Sequence, residues 1–113
     1  MAQEDKQLLL KVLCDGLPYG IKCRWMKSNS QVTTLWPEDL AVLDNLPHYE
    51  PYLRDMEDMT EVEKQIYDTL IHSTSLAHRN ELNIWLNKKH FNWRGLPEDM
   101  YIKVTEENNP YKQ

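Results

Sequence analysis

The spacing of apolar residues changes from helical to alternating within the first 25 positions, and this change constrains the fold most. Four apolar residues at helical spacing predict an amphipathic helix: Leu8, Leu9, Val12 and Leu13. Gly16 and Pro18 predict its end. Apolar residues at every second position then predict a strand with one buried face: Tyr19, Ile21, Cys23 and Trp25. A helix followed by strands indicates the α+β class.

The next segments predict a hairpin and a short helix. Residues 31–36 are rich in β-branched and aromatic side chains, which favours a return strand after a polar turn at 28–30. Pro37 and the two acids after it are typical of a helix start, with Leu40, Leu43 and Leu46 on one face. Residues 48–58 contain Pro51 and predict an irregular stretch that runs over the core.

The second half of the chain predicts two helices and a closing strand. Thr60 and Glu63 have the spacing of a capping box. The helix that follows is predicted to bury Val62, Ile66, Tyr67, Leu70 and Ile71, and a last helix after the interruption at 73–75 to bury Leu76, Leu82, Trp85 and Leu86. Residues 100–104 predict a strand, and residues 106–113 a frayed polar tail. We therefore expect one α+β domain over residues 1–113, with an N-terminal helix and a small antiparallel sheet (the hairpin plus a C-terminal strand) packed by two helices.

Charge and cysteine content suggest the compartment. The 113 residues carry a net charge of −5, which disfavours general attraction to nucleic acid or anionic lipid. Two cysteines are too few for a disulfide scaffold, and the acidic start lacks the pattern of a secretory signal. No apolar stretch approaches the roughly 20 residues of a membrane span. We expect a cytoplasmic protein without membrane contact.

Recognisable catalytic motifs are absent from the sequence. Three glycines, Gly16, Gly20 and Gly95, cannot form a phosphate-binding loop of standard spacing. The six residues of metal-ligating type show no metal-site spacing: Cys14, Cys23, His48, His72, His78 and His90. Both cysteines have the positions of core residues. The sequence therefore predicts no metal, no cofactor and no enzymatic activity.

One segment, residues 85–96, combines basic and aromatic residues in an otherwise acidic chain. Its candidate interaction residues are Lys88, Lys89, His90, Trp93 and Arg94. Such a mixture is typical of protein-binding hot spots and of surfaces that bind single-stranded nucleic acid. It also fits a helix end whose aromatic residues fill the core while its cations meet solvent. The sequence leaves these three interpretations open.

Three blocks of the chain carry a resemblance to other proteins. They are Leu17-Pro18-Tyr19-Gly20, Tyr52-Leu53-Arg54-Asp55-Met56 with Met59-Thr60-Glu61, and Trp85-Leu86-Asn87 with His90-Phe91-Asn92-Trp93-Arg94-Gly95-Leu96. In this order they resemble a group of short uncharacterised proteins of gut Bacteroidota, their phages and their mobile elements. That group usually has Asp-Tyr at positions 92–93 and Pro at position 55. The resemblance implies an origin but no activity. It also implies a shared turn, in which we expect Gly95 to adopt a backbone angle that other residues avoid and Arg94 to bridge backbone carbonyls.

Three functions follow as hypotheses. The first is a non-enzymatic accessory protein, of phage or mobile-element origin, that binds a host or viral protein through the candidate interaction residues. The second is a nucleic-acid-binding module that uses Lys88, Lys89, Trp93 and Arg94. The third is an enzyme whose site combines scattered residues such as His90, Glu63 and Cys14.

Overall fold

The described part of the chain contains three α-helices and four strands, with short 3₁₀ helices between them. The computed structural model describes residues 3–25, 32–41, 48–72 and 76–111. The helices are α1 (Gln3–Gly16), α2 (Glu61–Ile71) and α3 (Leu76–Lys88). The strands are β1 (Lys22–Trp25), β2 (Val32–Thr34), β3 (Tyr49–Leu53) and β4 (Ile102–Lys103). The predicted α+β class is confirmed. The predicted turn at 28–30, the positions of Leu43 and Leu46, the interruption at 73–75 and the side chain of Leu76 lie outside the described part.

The four strands form one mixed sheet in the order β2-β1-β3-β4. β1 pairs antiparallel with β2 and with β3, while β4 pairs parallel with β3. The sheet therefore differs from the antiparallel one that we expected. The closing strand is also shorter than expected, because Met100 ends a 3₁₀ helix (Glu98–Met100) instead.

Strand β3 lies in the stretch that we expected to be irregular. Pro51 lacks a backbone N–H and argues against a central strand. Pairing with β4 begins at Tyr52, one residue after this proline. Tyr49 and Leu53 belong to the core. The burial of four of the five residues hides the alternation that identified β1.

The main hydrophobic core lies between α1 and the sheet. Helix α1 contributes Leu9, Val12 and Leu13, as its spacing predicted. Ile21, Cys23, Leu35, Tyr49 and Leu53 pack against them, together with Leu96 and Met100. This core holds α1 against the sheet, and Leu96 and Met100 bring the C-terminal part of the chain into the same core.

A second, smaller hydrophobic cluster packs α2 and α3 together. Met59, Leu86 and Phe91 are buried there, with Met56, Tyr67, Leu82, Trp85 and Trp93 packed around them. The capping box of Thr60 and Glu63 is present, as predicted. The predicted burial of Val62, Ile66 and Ile71 is wrong, because these side chains face solvent.

Candidate functional site

Helix α3 ends in a Schellman motif that orients the basic–aromatic segment. The N–H of His90 donates to the carbonyl of Asn87, and the N–H of Phe91 donates to that of Leu86, both at 3.1 Å. Leu86 and Phe91 also pack together in the smaller cluster. His90 occupies the left-handed position of the motif with φ of 60°. Glycine is usual at this position, and a residue with a Cβ costs roughly 1–2 kcal/mol there.

The imidazole of His90 is buried and stacks on Tyr111. The ring centroids lie 3.8 Å apart and the planes differ by 7°. Among the described residues, Nδ1 has no hydrogen-bond partner. Burial, and secondly the positive charge of Arg54, lower the pKa of His90 to about 4. The ring is therefore neutral at pH 7, with one donor and one acceptor nitrogen.

Arg54 and Glu63 form a bidentate ion pair next to His90. The guanidinium donates from Nη1 to Oε2 at 2.8 Å and from Nη2 to Oε1 at 2.7 Å. Oε1 also accepts the backbone N–H of Thr60 at 2.9 Å, which completes the cap of α2. The other side of the guanidinium lies 4.3 Å from the centre of the Phe91 ring. The hydrogen bond from Arg54 is the largest cause that lowers the pKa of Glu63, to about 2.

An open cleft of about 710 Å³ lies beside this pair, and we call it the basic cleft. Its walls come from the end of α3, from residues near β3 and β4, and from the C-terminal segment. The lining residues are Arg54, Asp58, Thr60, Lys88, Lys89, His90, Lys103, Val104, Thr105, Glu106, Asn109 and Tyr111. Four of them are cationic and two are acidic. The lining residues therefore carry a net positive charge in an acidic protein, although two of the four cations pair with Glu63 and Asp55, which do not line the cleft.

Trp93 and Arg94 do not line the basic cleft. The indole N–H of Trp93 donates to Oδ1 of Asn87 at 2.7 Å. The guanidinium of Arg94 lies 4.4 Å from the centre of the Trp93 ring and binds the carboxylate of Asp15 at the end of α1. The expectation that Arg94 bridges carbonyls is thus wrong. Both residues line a cavity of about 20 Å³ with Asp15 and Asn87, on whose wall His90 also lies.

The five candidate residues are therefore divided between two places. Lys88, Lys89 and His90 line the basic cleft, while Trp93 and Arg94 join α3 to α1. Gly95 has φ of 76°, as we expected for a residue of this turn. Sequence reasoning did not assign the other nine lining residues to a site, and these include Arg54, Lys103 and Tyr111. Arg54 appeared in the sequence analysis only as part of the Tyr52-Leu53-Arg54 block that carries the resemblance.

Tyr111 holds the C-terminal segment against the sheet. Its hydroxyl donates to the carbonyl of Tyr52 at 2.7 Å and accepts the backbone N–H of Lys22 at 3.0 Å. Burial raises the pKa of Tyr111 above its ordinary value. The tail that we expected to fray is thus fixed at this residue.

The residues of the enzyme hypothesis have different environments. Cys14 is exposed on α1, Glu63 is bound by Arg54, and His90 is buried. Burial raises the pKa of the other thiol, Cys23, to about 12. The described ranges contain no group of three or more His, Cys, Asp or Glu side chains that could hold a metal ion. Within the same ranges, no helix is long and apolar enough to cross a membrane.

The outer face of α2 is an apolar groove of about 350 Å³. Val62, Gln65, Ile66, Thr69 and Leu70 line it. The exposed fraction is 66% for Val62 and 38% for Ile66. Ile84 on α3 is 45% exposed but does not line the groove. Exposed apolar residues that share a groove are typical of surfaces that bind other proteins.

Comparisons with known proteins found no similarity. No family model matches the chain, and neither a curated protein nor a solved structure matches it.

Proposed function

We propose that the protein is a non-enzymatic binding module that docks an amphipathic helix of a partner protein in the groove of α2. The observation that carries this proposal is the exposure of Val62 and Ile66, one helical turn apart, in that groove. An apolar stripe on a short helix is normally covered by the protein's own core. Within the described part of the chain this stripe is exposed, and we expect another molecule to cover it.

The charges beside the groove define the chemistry of the partner. Glu61 and Asp68 are exposed and stand two helical turns apart, so both lie on the same side of the groove. Lys64 forms an ion pair with Glu61 at 3.5 Å, but such an exposed pair contributes little energy. The groove therefore suits a helix whose apolar stripe is flanked by lysine or arginine.

Selection from a displayed library of amphipathic helices with random flanking charges would test this function. We expect enriched helices to carry lysine or arginine beside the apolar stripe. Their affinity should fall about ten-fold or more when Val62→Gln and Ile66→Gln are combined, since buried apolar contacts of this size are worth more than 1.4 kcal/mol.

The chain offers a matched control for this experiment. Ile84→Gln removes an exposed apolar side chain outside the groove, so affinity should stay within about two-fold of the unsubstituted protein. Circular dichroism would establish that each variant keeps its helices. Enriched helices that bind the groove variant undiminished, or that carry acidic flanks, would contradict the proposal.

Nucleic-acid binding receives less support as an alternative. Stacking of bases requires a free aromatic face, whereas Trp93 is bonded to Asn87 and covered by Arg94. The net charge of −5 opposes binding of a long phosphate backbone. Lys88 and Lys89 remain as the cations that could contact phosphate.

The cytoplasm is the compartment that we propose for this function. Both cysteines, Cys14 and Cys23, are free thiols. Reduced thiols without disulfides are typical of the cytosol. Fractionation of a tagged protein that placed it outside the cytoplasm would contradict this assignment.

A further inference from the structure

The cations of the basic cleft are not equally available. Arg54 is bound by Glu63, and Lys103 lies 3.3 Å from Asp55 and 3.5 Å from Asp58. Lys88 and Lys89, in contrast, form no ion pair within the described part of the chain and are exposed. Their position at the end of α3 stabilises them by interaction with the helix dipole, but an anion would do so more strongly. Two cations therefore remain free to bind a ligand.

The wall of the same cleft includes His90, whose ring carries an enclosed nitrogen without a partner among the described residues. His90 is only 9% exposed, yet its Nδ1 makes no hydrogen bond to any described residue. A buried nitrogen left unpaired destabilises the folded state. The same residue also adopts a left-handed conformation where glycine would be unstrained. Nδ1 is enclosed, so a molecule in the cleft would contact other atoms of the His90 side chain.

Asn109 is a further donor among the lining residues of the cleft. Oδ1 of Asn109 accepts the backbone N–H of Tyr111 at 2.9 Å, which leaves the amide NH₂ group for a ligand. The available donors are thus two ammonium groups and one amide. This set matches a molecule with several anionic oxygens.

The size and remaining charges of the cleft limit that molecule to a small one. A volume of about 710 Å³ lies within the range of sites for small organic ligands, and it is much larger than a single ion needs. Asp58 and Glu106 also line the cleft and would repel an extended polyanion.

We propose that the basic cleft binds a small organic polyanion, whose phosphate or carboxylate groups contact Lys88 and Lys89 beside the ring of His90. This site is separate from the groove of α2 and does not depend on the function proposed for that groove. The site requires a compact molecule with two or more oxyanions. Either phosphate groups or carboxylate groups supply them.

Calorimetric titration with pyrophosphate and with citrate tests the proposal and separates the two sources. We expect saturable binding of at least one of them at an ionic strength held constant with sodium chloride. Replacement of both cations by Lys88→Gln and Lys89→Gln should weaken it about ten-fold or more, because charge-assisted hydrogen bonds are lost. The control variant Lys11→Gln with Lys64→Gln removes the same charge from exposed positions elsewhere and should change affinity less than about two-fold.

Nitrogen NMR of His90 gives an independent readout. We expect the ring nitrogen resonances to shift on saturation with the bound probe, since His90 lines the cleft. Binding of neither probe, or equal weakening by both double variants, would overturn the proposal. Preferential binding of a dodecameric thymidine oligonucleotide, lost with Lys88→Gln and Lys89→Gln, would overturn it in favour of nucleic acid.

Discussion

The carboxylate of Glu63 should make the stability of this protein strongly dependent on acid. Its side chain is only 10% exposed and accepts three hydrogen bonds, two from Arg54 and one from Thr60. These bonds lower its pKa from 4.5 to about 2. At 1.36 kcal/mol per pKa unit, the ionised form contributes about 3 kcal/mol to the free energy of unfolding at pH 7.

The sign of the pH dependence follows from the direction of that shift. Because the pKa is depressed in the folded state, the contribution is fully present above the unfolded value of 4.5 and is lost as pH falls from about 5 towards 2. Glu63→Gln should therefore cost about 3 kcal/mol at pH 7, which agrees with the cost of removing one partner of a buried pair. The difference between the two proteins should shrink as the pH approaches 2.

Urea unfolding followed by tryptophan fluorescence at pH 7 and pH 3 would measure the cost of Glu63→Gln and its dependence on pH. Glu61→Gln is the matched control, since it removes an exposed carboxylate two residues away on the same helix. Its cost should stay below about 0.5 kcal/mol at either pH. A cost for Glu63→Gln below about 1 kcal/mol at pH 7, or one that does not change with pH, would refute the reasoning.

Two further substitutions test the packing of the fold. Gly16→Ala should lower the free energy of unfolding in urea by about 1–3 kcal/mol, because the new Cβ would lie 2.6 Å from the Cβ of Ile21. This clash should outweigh the better helix propensity of alanine. An increased melting temperature would contradict the prediction. Tyr111→Phe should cost about 1–3 kcal/mol in the same assay, because the N–H of Lys22 and the carbonyl of Tyr52 lose their partner. Unchanged stability of this variant would show that another group replaces the hydroxyl.

The parts of the fold predicted from sequence are those that local patterns determine. Helix α1, strand β1 and the capping box of Thr60 and Glu63 each depend on residues within a few positions of one another. Strand β3 was missed because Pro51 argues against a central strand and because burial on both faces removes alternation. The stripe of α2 was detected as a pattern, but periodicity cannot show whether another element covers it.

The candidate site was predicted only in part, for a similar reason. Lys88, Lys89 and His90 were found because they contrast with an acidic chain. Asp15 bonds to Arg94 across 79 positions, and Tyr111 bonds to Lys22 across 89. Pairings over such separations depend on the complete fold, so the sequence pattern did not indicate them.

The hydroxyl of Tyr111 has a mechanical consequence for the sheet. Strands β1 and β3 pair Cys23 with Pro51, so the next step of this register places Lys22 opposite Tyr52. The phenol oxygen bonds to both of these residues and thus bridges the two strands at that step. Because the same ring stacks on His90, the bridge also ties the end of α3 to this step of the sheet.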